Sequence, residues 1–245
     1  MKLSTSSLLS LVLFTIEALS QPTEKSFNIS DLLNTDLSPE KYFRSLPDPQ
    51  DQGLTKRQYS RNTYNQLTDG TPCRPVTVIY ARGTGQDGNV GDPAAVGPLF
   101  FNNLASRIGG TSQLAIQGVT YPANVPGFFA GGDAAGSTAM AGHISTAATR
   151  CPSTKIVLAG YSQGAQLVHN AAQRTSAVNA ARVAAVVVLG DPKRGQSFGS
   201  IPASRTLTIC EPGDNICEGG FIITAAHLNY QQNATEAAAF VAGRL

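Results

Sequence analysis

The chain has 245 residues, enough for one substantial core or two small domains. A formal charge of +2, from 18 basic and 16 acidic residues, is too weak to argue for nucleic acid or an anionic membrane surface. Only 14% of residues are charged and Gly is abundant (24 residues), which suggests close packing with small residues at element contacts, while 7% aromatics and no Trp argue against a sugar-stacking cleft.

In chain order, residues 1–20 read as a secretory signal. Lys2 gives the positive start, Leu8 to Ile16 the apolar centre, and Ala18-Leu19-Ser20 a cleavage site before Gln21. The apolar run is too short to span a bilayer stably, and no other stretch is long enough. A soluble, secreted, extracellular protein with no stable membrane insertion is expected. Residues 21–57 carry several Pro and Ser, many acidic residues and little periodicity. They end on Lys56-Arg57, a dibasic pair of the kexin-processed type. The segment reads as a propeptide, or as a flexible leader that stays attached, with residues 58–245 as the folded domain. Asn28-Ile29-Ser30 and Asn233-Ala234-Thr235 are N-glycosylation sequons, and only the second survives loss of the leader.

From Cys73 onward, short β-branched runs alternate with Ala-rich helical stretches. The runs are Val76–Tyr80, Leu114–Val119, Lys155–Ala159, Val183–Leu189 and Arg205–Cys210; the helices lie near 95–108, 134–150, 163–176 and 233–243. Apolar strands alternating with helices predict one α/β domain, a five-stranded parallel sheet covered on both faces. The connection from Leu189 to Arg205 is about sixteen residues, too short for a helical lid. A serine at the sheet edge should therefore be open to solvent.

That serine is in Gly160-Tyr161-Ser162-Gln163-Gly164, between the run Lys155–Ala159 and the helical stretch Ala165–Ala172. The pattern is a nucleophile elbow, in which flanking glycines permit a strained turn with the serine at its apex. A serine nucleophile needs a base, and the chain has three histidines. His169 lies about 10 Å along the elbow helix from Ser162, and reads as a helix-surface residue. His143 precedes the nucleophile, against the usual order of serine, acid, histidine. His227, after the apolar Phe221–Ala226, is the remaining base.

The acid must lie between Ser162 and His227, and Asp214 and Asp191 are the main choices, ahead of Glu211 and Glu218. Asp214 sits between Cys210 and Cys217, where a disulfide would hold its carboxylate rigidly. Asp191, in Gly190-Asp191-Pro192, is also ordinary turn chemistry. Four cysteines in an exported chain imply two disulfides, with three pairings possible. The turn at Gly213 lets Cys210 and Cys217 meet, which leaves Cys73 for Cys151. Zinc needs closely spaced ligand pairs, which Cys73 and Cys151 lack, so no metal is expected. The backbone N–H of Gln163 is one candidate oxyanion donor. Thr84, in the loop Tyr80–Gly85, offers its N–H and its hydroxyl as the second. Phe128 and Phe129 line a groove or belong to the core.

These residues resemble the fungal cutinase family across roughly Cys73 to Leu245. The likeness rests on Ala81-Arg82-Gly83-Thr84, Gly160 to Ala165, the Cys210…Gly213-Asp214…Cys217 loop, and Ala225-Ala226-His227-Leu228 with Tyr230. Thr84 departs from the serine often found at the oxyanion position, and Ala226 from the proline often found before the histidine. The resemblance implies a three-layer α/β-hydrolase fold without a lid, spanning 58–245. It implies a triad of Ser162, Asp214 and His227, an oxyanion hole of Thr84 and Gln163, and disulfides Cys73–Cys151 and Cys210–Cys217. Phe221 and Ile223 fall where the family places its acyl-contacting wall. The expected function is a secreted serine esterase acting on cutin, a hydroxy fatty acid polyester, and on short carboxylic esters, as a monomer with no cofactor. Val119–Ala123 and Cys151–Val157 also resemble the related acetylxylan esterases, so acetylxylan or small lipids are the alternative substrates, and a non-catalytic secreted interaction protein is a third reading.

Overall fold

A computed structural model describes residues 26–34 and 58–245. The expected signal segment, Lys56-Arg57 and most of the leader lie outside the described residues. The described part of the leader contributes a short strand, β1 (Phe27–Asn28), followed by a 3-10 turn over Ile29–Asn34.

Five further strands build one parallel sheet: β2 (Val76–Ala81), β3 (Leu114–Gly118), β4 (Lys155–Tyr161), β5 (Val183–Leu189) and β6 (Thr206–Ile209), in the spatial order β3-β2-β4-β5-β6. Neighbours run in regular register, as in Val76 opposite both Leu114 and Lys155, with one slip between Ile156 and Val157. Every residue of β2 and β3 is buried, because helices cover both faces; hence the continuous apolar runs instead of alternation.

One face carries α1 (Val96–Arg107), whose Phe100, Phe101 and Leu104 pack on Val78, Tyr80 and Val157. The C-terminal helix (Ala234–Ala242) joins it there through Ala237, Ala238 and Val241. After β3 comes the single turn α2 (Val125–Phe129), capped by the Asn124 side chain, which accepts the Gly127 N–H at 2.9 Å. The other face carries α3 (Ala134–Arg150) and α4 (Gln163–Arg174), which set Met140, Ile144, Leu167 and Val168 against Ile79, Leu158, Val186 and Val188.

A short α5 (Ala177–Ala181) leads into β5, and the β5–β6 connection holds no α-helix, only a 3-10 turn at Ala203–Arg205. After β6 come β7 (Ile222–Ile223), α6 (Ala225–Leu228) and α7 (Ala234–Ala242), the C-terminal helix. Strand β7 stays outside the main sheet and pairs antiparallel with β1. The disulfides are Cys73–Cys151, which ties the approach to β2 to the end of α3, and Cys210–Cys217, which closes the loop after β6.

His169 is not a surface residue. It is fully buried in α4, with Nε2 2.9 Å from Asp191 Oδ2 and its ring stacked on Phe198 at 4.0 Å between centroids. The reason is tertiary: the β5–β6 connection folds back over the outer flank of α4, a contact helical periodicity cannot reveal.

Candidate active site

The chain leaves β2 in one direction toward β3 and returns past it to β4, so the carboxyl ends of β2 and β4 flank the topological switch point, where α/β sheets place their ligand crevices. Two loops meet there, Arg82–Gln86 from β2 and the elbow from β4.

Ser162 has φ +56° and ψ −121°, a strained conformation for a residue with a Cβ. The flanking glycines make it possible. A Cβ on Gly160 would lie 2.4 Å from Gly164 O, and one on Gly164 would lie 2.0 Å from Ala81 O. The turn is fixed by Ser162 N donating to Leu189 O at 2.9 Å. Gln163 opens α4, so its N–H has no carbonyl one turn below to bond.

Ser162 Oγ is 2.9 Å from His227 Nε2, and His227 Nδ1 is 2.9 Å from both carboxylate oxygens of Asp214. The network implies the tautomer with the proton on Nδ1 facing Asp214, leaving Nε2 to accept from the serine. Residues 65 apart in sequence are thus brought into hydrogen-bond contact. Thr224 caps α6 and orients His227 through its hydroxyl oxygen, which accepts His227 N–H at 3.3 Å. Tyr161 donates to His227 O at 2.6 Å and stacks on the imidazole. Gly190 gives the ring room: a Cβ there would lie 2.9 Å from His227 Cε1.

Asp214 accepts from Tyr230 OH at 2.6 Å and from Ile216 N at 3.0 Å, besides His227. Burial pushes its carboxyl pKa up. Hydrogen bonds and charge from His227, with those from Tyr230 and the Ile216 amide, outweigh burial and hold it below the ordinary carboxylate value. Burial and the Asp214 contact raise the Tyr230 phenol, which stays protonated and donates. Asp191, the alternative acid, is engaged by His169 instead of His227. His143 is half-buried in α3, and burial lowers its pKa.

The Thr84 loop is braced from below. Arg82 is buried and donates to Gln86 O at 2.6 Å and to Tyr121 O at 2.9 Å, while Tyr121 OH returns a bond to Arg82 O. Gly83 N donates to Gln86 Oε1 and Gly85 N to Ala123 O. Gln163 Nε2 donates to Thr84 Oγ1 and to Asn124 O, both at 2.8 Å. With its oxygen accepting that bond, the Thr84 hydroxyl keeps its hydrogen free to donate. The bracing roles of Arg82, Tyr121, Tyr161 and Asn124 carry no local sequence signal, because the bonds joining Arg82 to Tyr121, Tyr161 to His227 and Gln163 to Asn124 link side chains to backbone carbonyls remote in sequence.

Ser162 is 3% exposed, not open to solvent as the short β5–β6 connection suggested. Ile223 is buried, Phe221 and Phe129 are each 49% exposed, and their rings stand 5.2 Å apart as a lip. Phe128 turns inward and Phe129 outward, so the pair divides between core and surface. Behind the lip, Val125, Phe128, Ile216 and Ile223 cluster with Phe27, Ile29 and Leu32 of the leader. Among the described residues no group of three or more His, Cys, Asp or Glu is placed to hold a metal ion, and no helix is long and apolar enough to cross a membrane.

The family model "Cutinase" matches residues 72–245. A cutinase of Botryotinia fuckeliana is 49% identical over 169 residues, covering 69% of this chain and 82% of that protein. One of Monilinia fructicola is 48% identical with the same coverage. The structure of a Trichoderma reesei cutinase in complex with a C11Y4 phosphonate inhibitor superposes with TM-score 0.69 at 43% identity, covering 75% of this chain and 80% of that one. An acetylxylan esterase superposes with TM-score 0.58 at 22% identity, covering 71% and 99%, a likeness of fold.

Proposed function

This chain belongs to the cutinase family and is a carboxylic ester hydrolase; on that premise we propose that Ser162, His227 and Asp214 carry the reaction and that its substrate is the aliphatic polyester cutin. The observation that carries the reading is the 2.9 Å contact between Ser162 Oγ and His227 Nε2 at the apex of a strained elbow.

Ser162 Oγ attacks the ester carbonyl carbon while its proton passes to His227 Nε2. Asp214 keeps the imidazole in the accepting tautomer and stabilises the imidazolium. The carbonyl oxygen becomes an oxyanion facing the Gln163 N–H and the Thr84 donors, each worth about 2.7–4 kcal/mol of barrier. Collapse breaks the bond to the leaving alcohol, which takes the proton from His227. Water then attacks the acyl-serine, giving its proton to His227, and the carboxylic acid leaves as the proton returns to Ser162 Oγ. These residues suffice for the sequence of steps.

The apolar lip of Phe221 and Phe129, with Ile223 behind it, supports an aliphatic acyl chain over an acetyl group. Two disulfides are consistent with an oxidising, extracellular setting, as are the N-terminal signal pattern and the sequons. The Nδ2 of Asn233, where a glycan would attach, donates to Glu211 Oε1 at 2.6 Å. The test is Ser162→Ala: it should fold normally and lose hydrolysis of a nitrophenyl butyrate. Retained activity overturns the nucleophile assignment. Release of C16 hydroxy acids from cutin, against acetate from acetylxylan, tests the substrate.

A further inference from the structure

The segment that bears Phe221 and Ile223, the expected acyl-contacting residues, has a strand partner. Strand β1 adds to β7 with Phe27 opposite Ile223 and Asn28 opposite Ile222, and Ile29 N continues the ladder to Phe221 O at 2.9 Å. Phe27 lies in the strand and Ile29 opens the 3-10 turn that follows it. Both are buried, Ile29 completely, while Asn28 between them is half-exposed. The following turn brings Leu32 into the same cluster and leaves Leu33 57% exposed. Asn28 Oδ1 fixes the turn by accepting from Ser30 N at 3.0 Å and Ser30 Oγ at 2.8 Å.

The partners of these side chains are continuous with the proposed reaction centre. Val125 and Phe128 lie on α2, next to Asn124, whose carbonyl holds the Gln163 amide. Ile216 donates its N–H to Asp214. Ile223 is followed by Thr224, which caps the helix bearing His227. Phe27, Ile29 and Leu32 therefore pack on the same Val125, Phe128 and Ile223 that border the expected acyl-contacting wall. The occupant is not part of the family domain, since the family match begins at residue 72.

We propose that residues 27–33 form an intramolecular strap, a self-ligand seated in the acyl groove, and that long-chain esters bind only when it has lifted. The inference rests on the esterase reading above and assigns a regulation to that site. The strap is held by one short ladder and three apolar side chains, against the entropy of ordering an extended segment, so its docked and lifted states are close in free energy. A ligand that needs the lifted state binds with its affinity reduced by the lifted fraction. A short acyl group does not reach the strap and is little affected.

The test compares nitrophenyl butyrate and nitrophenyl palmitate on the full chain. Ile29→Asp places a charge in the groove, and Ile29→Pro removes the N–H that bonds Phe221 O; both should lift the strap. The expected result is a rise of about tenfold in kcat/KM for palmitate, carried by KM, with butyrate within about twofold. A double Asn28→Cys, Ile222→Cys variant, joining residues that face each other across the ladder, should lock the strap and lower palmitate turnover at least about tenfold with butyrate kept. Unchanged or reduced palmitate kcat/KM in the lifted variants, or full palmitate activity in the locked one, overturns the proposal. Labelling of Ser162 by a small organophosphate in every variant separates the outcomes. No labelling sinks the esterase reading itself, whereas labelling with an unmoved chain-length ratio sinks the strap alone.

Discussion

The side-chain amide of Gln163 donates to the hydroxyl oxygen of Thr84 at 2.8 Å, joining residues 79 apart in sequence. The same Nε2 reaches Asn124 O, so one amide ties the elbow, the β2 loop and the approach to α2 together. The arrangement orients the Thr84 hydroxyl before any substrate arrives, the condition under which an oxyanion donor is most effective.

Thr84→Val keeps the shape of the side chain and removes its hydroxyl. The expected outcome is a fall of about 10²–10³ in kcat on nitrophenyl butyrate with little change in KM. Thr84→Ser should stay within a few-fold of the parent, because the serine hydroxyl can accept from Gln163 and still donate. Steady-state kinetics on the three proteins check this.

Asp214 makes a signed contribution to stability. Its pKa lies below the ordinary carboxylate value, so its contribution is complete above the unfolded value of about 3.9 and is lost as pH falls below that through the folded value. Relative to Asp214→Asn, the parent should lose stability as pH drops below about 4, and the gap between them should change little above about pH 5. Urea unfolding at several pH values measures it. Tyr230→Phe, which deletes a donor to Asp214, should move the loss toward higher pH.

His169 and Asp191 form a fully buried pair. His169→Ala leaves the Asp191 carboxyl facing a cavity and should cost about 3–5 kcal/mol of stability, the penalty for removing one member of a buried pair. Activity per folded molecule should be retained at low temperature, since neither residue bonds Ser162 or His227. Denaturant midpoints beside active-site titration separate the two effects.

Gly190 has φ +58° and lies against the His227 ring. Gly190→Ala adds a methyl 2.9 Å from Cε1 on a backbone unfavourable to it. The imidazole must then shift, and a displacement on the order of 1 Å at the proposed base costs about 10² in rate. A drop in kcat larger than the drop in Tm would suggest is the expected signature.

Much of the fold was legible in the amino-acid sequence. Fully buried strands need unbroken apolar runs, and the Val183–Leu189 range coincides with β5. The last strand proved shorter than Arg205–Cys210 because Arg205 ends a 3-10 turn and Cys210 starts the disulfide loop. Residues 27–34 had no periodicity to read: a two-residue strand and one turn are too short to carry any.

The candidate site divides the same way. The Gly160/Gly164 requirement is a matter of backbone clashes within one turn, and such constraints are written in adjacent residues. The location of Asp214 inside a closable cysteine loop was likewise a local fact. Which carboxylate met which histidine was not, since Asp191 and Asp214 both follow strand ends and both are buried beside an imidazole. Only the β5–β6 connection folding over α4 sends Asp191 to His169. The burial of Ser162 and the seating of Phe27 and Ile29 against Ile223 belong to the same class. They depend on proximity between segments joined by long stretches of chain, and the packing energy that selects among such contacts exists only when all the elements are assembled.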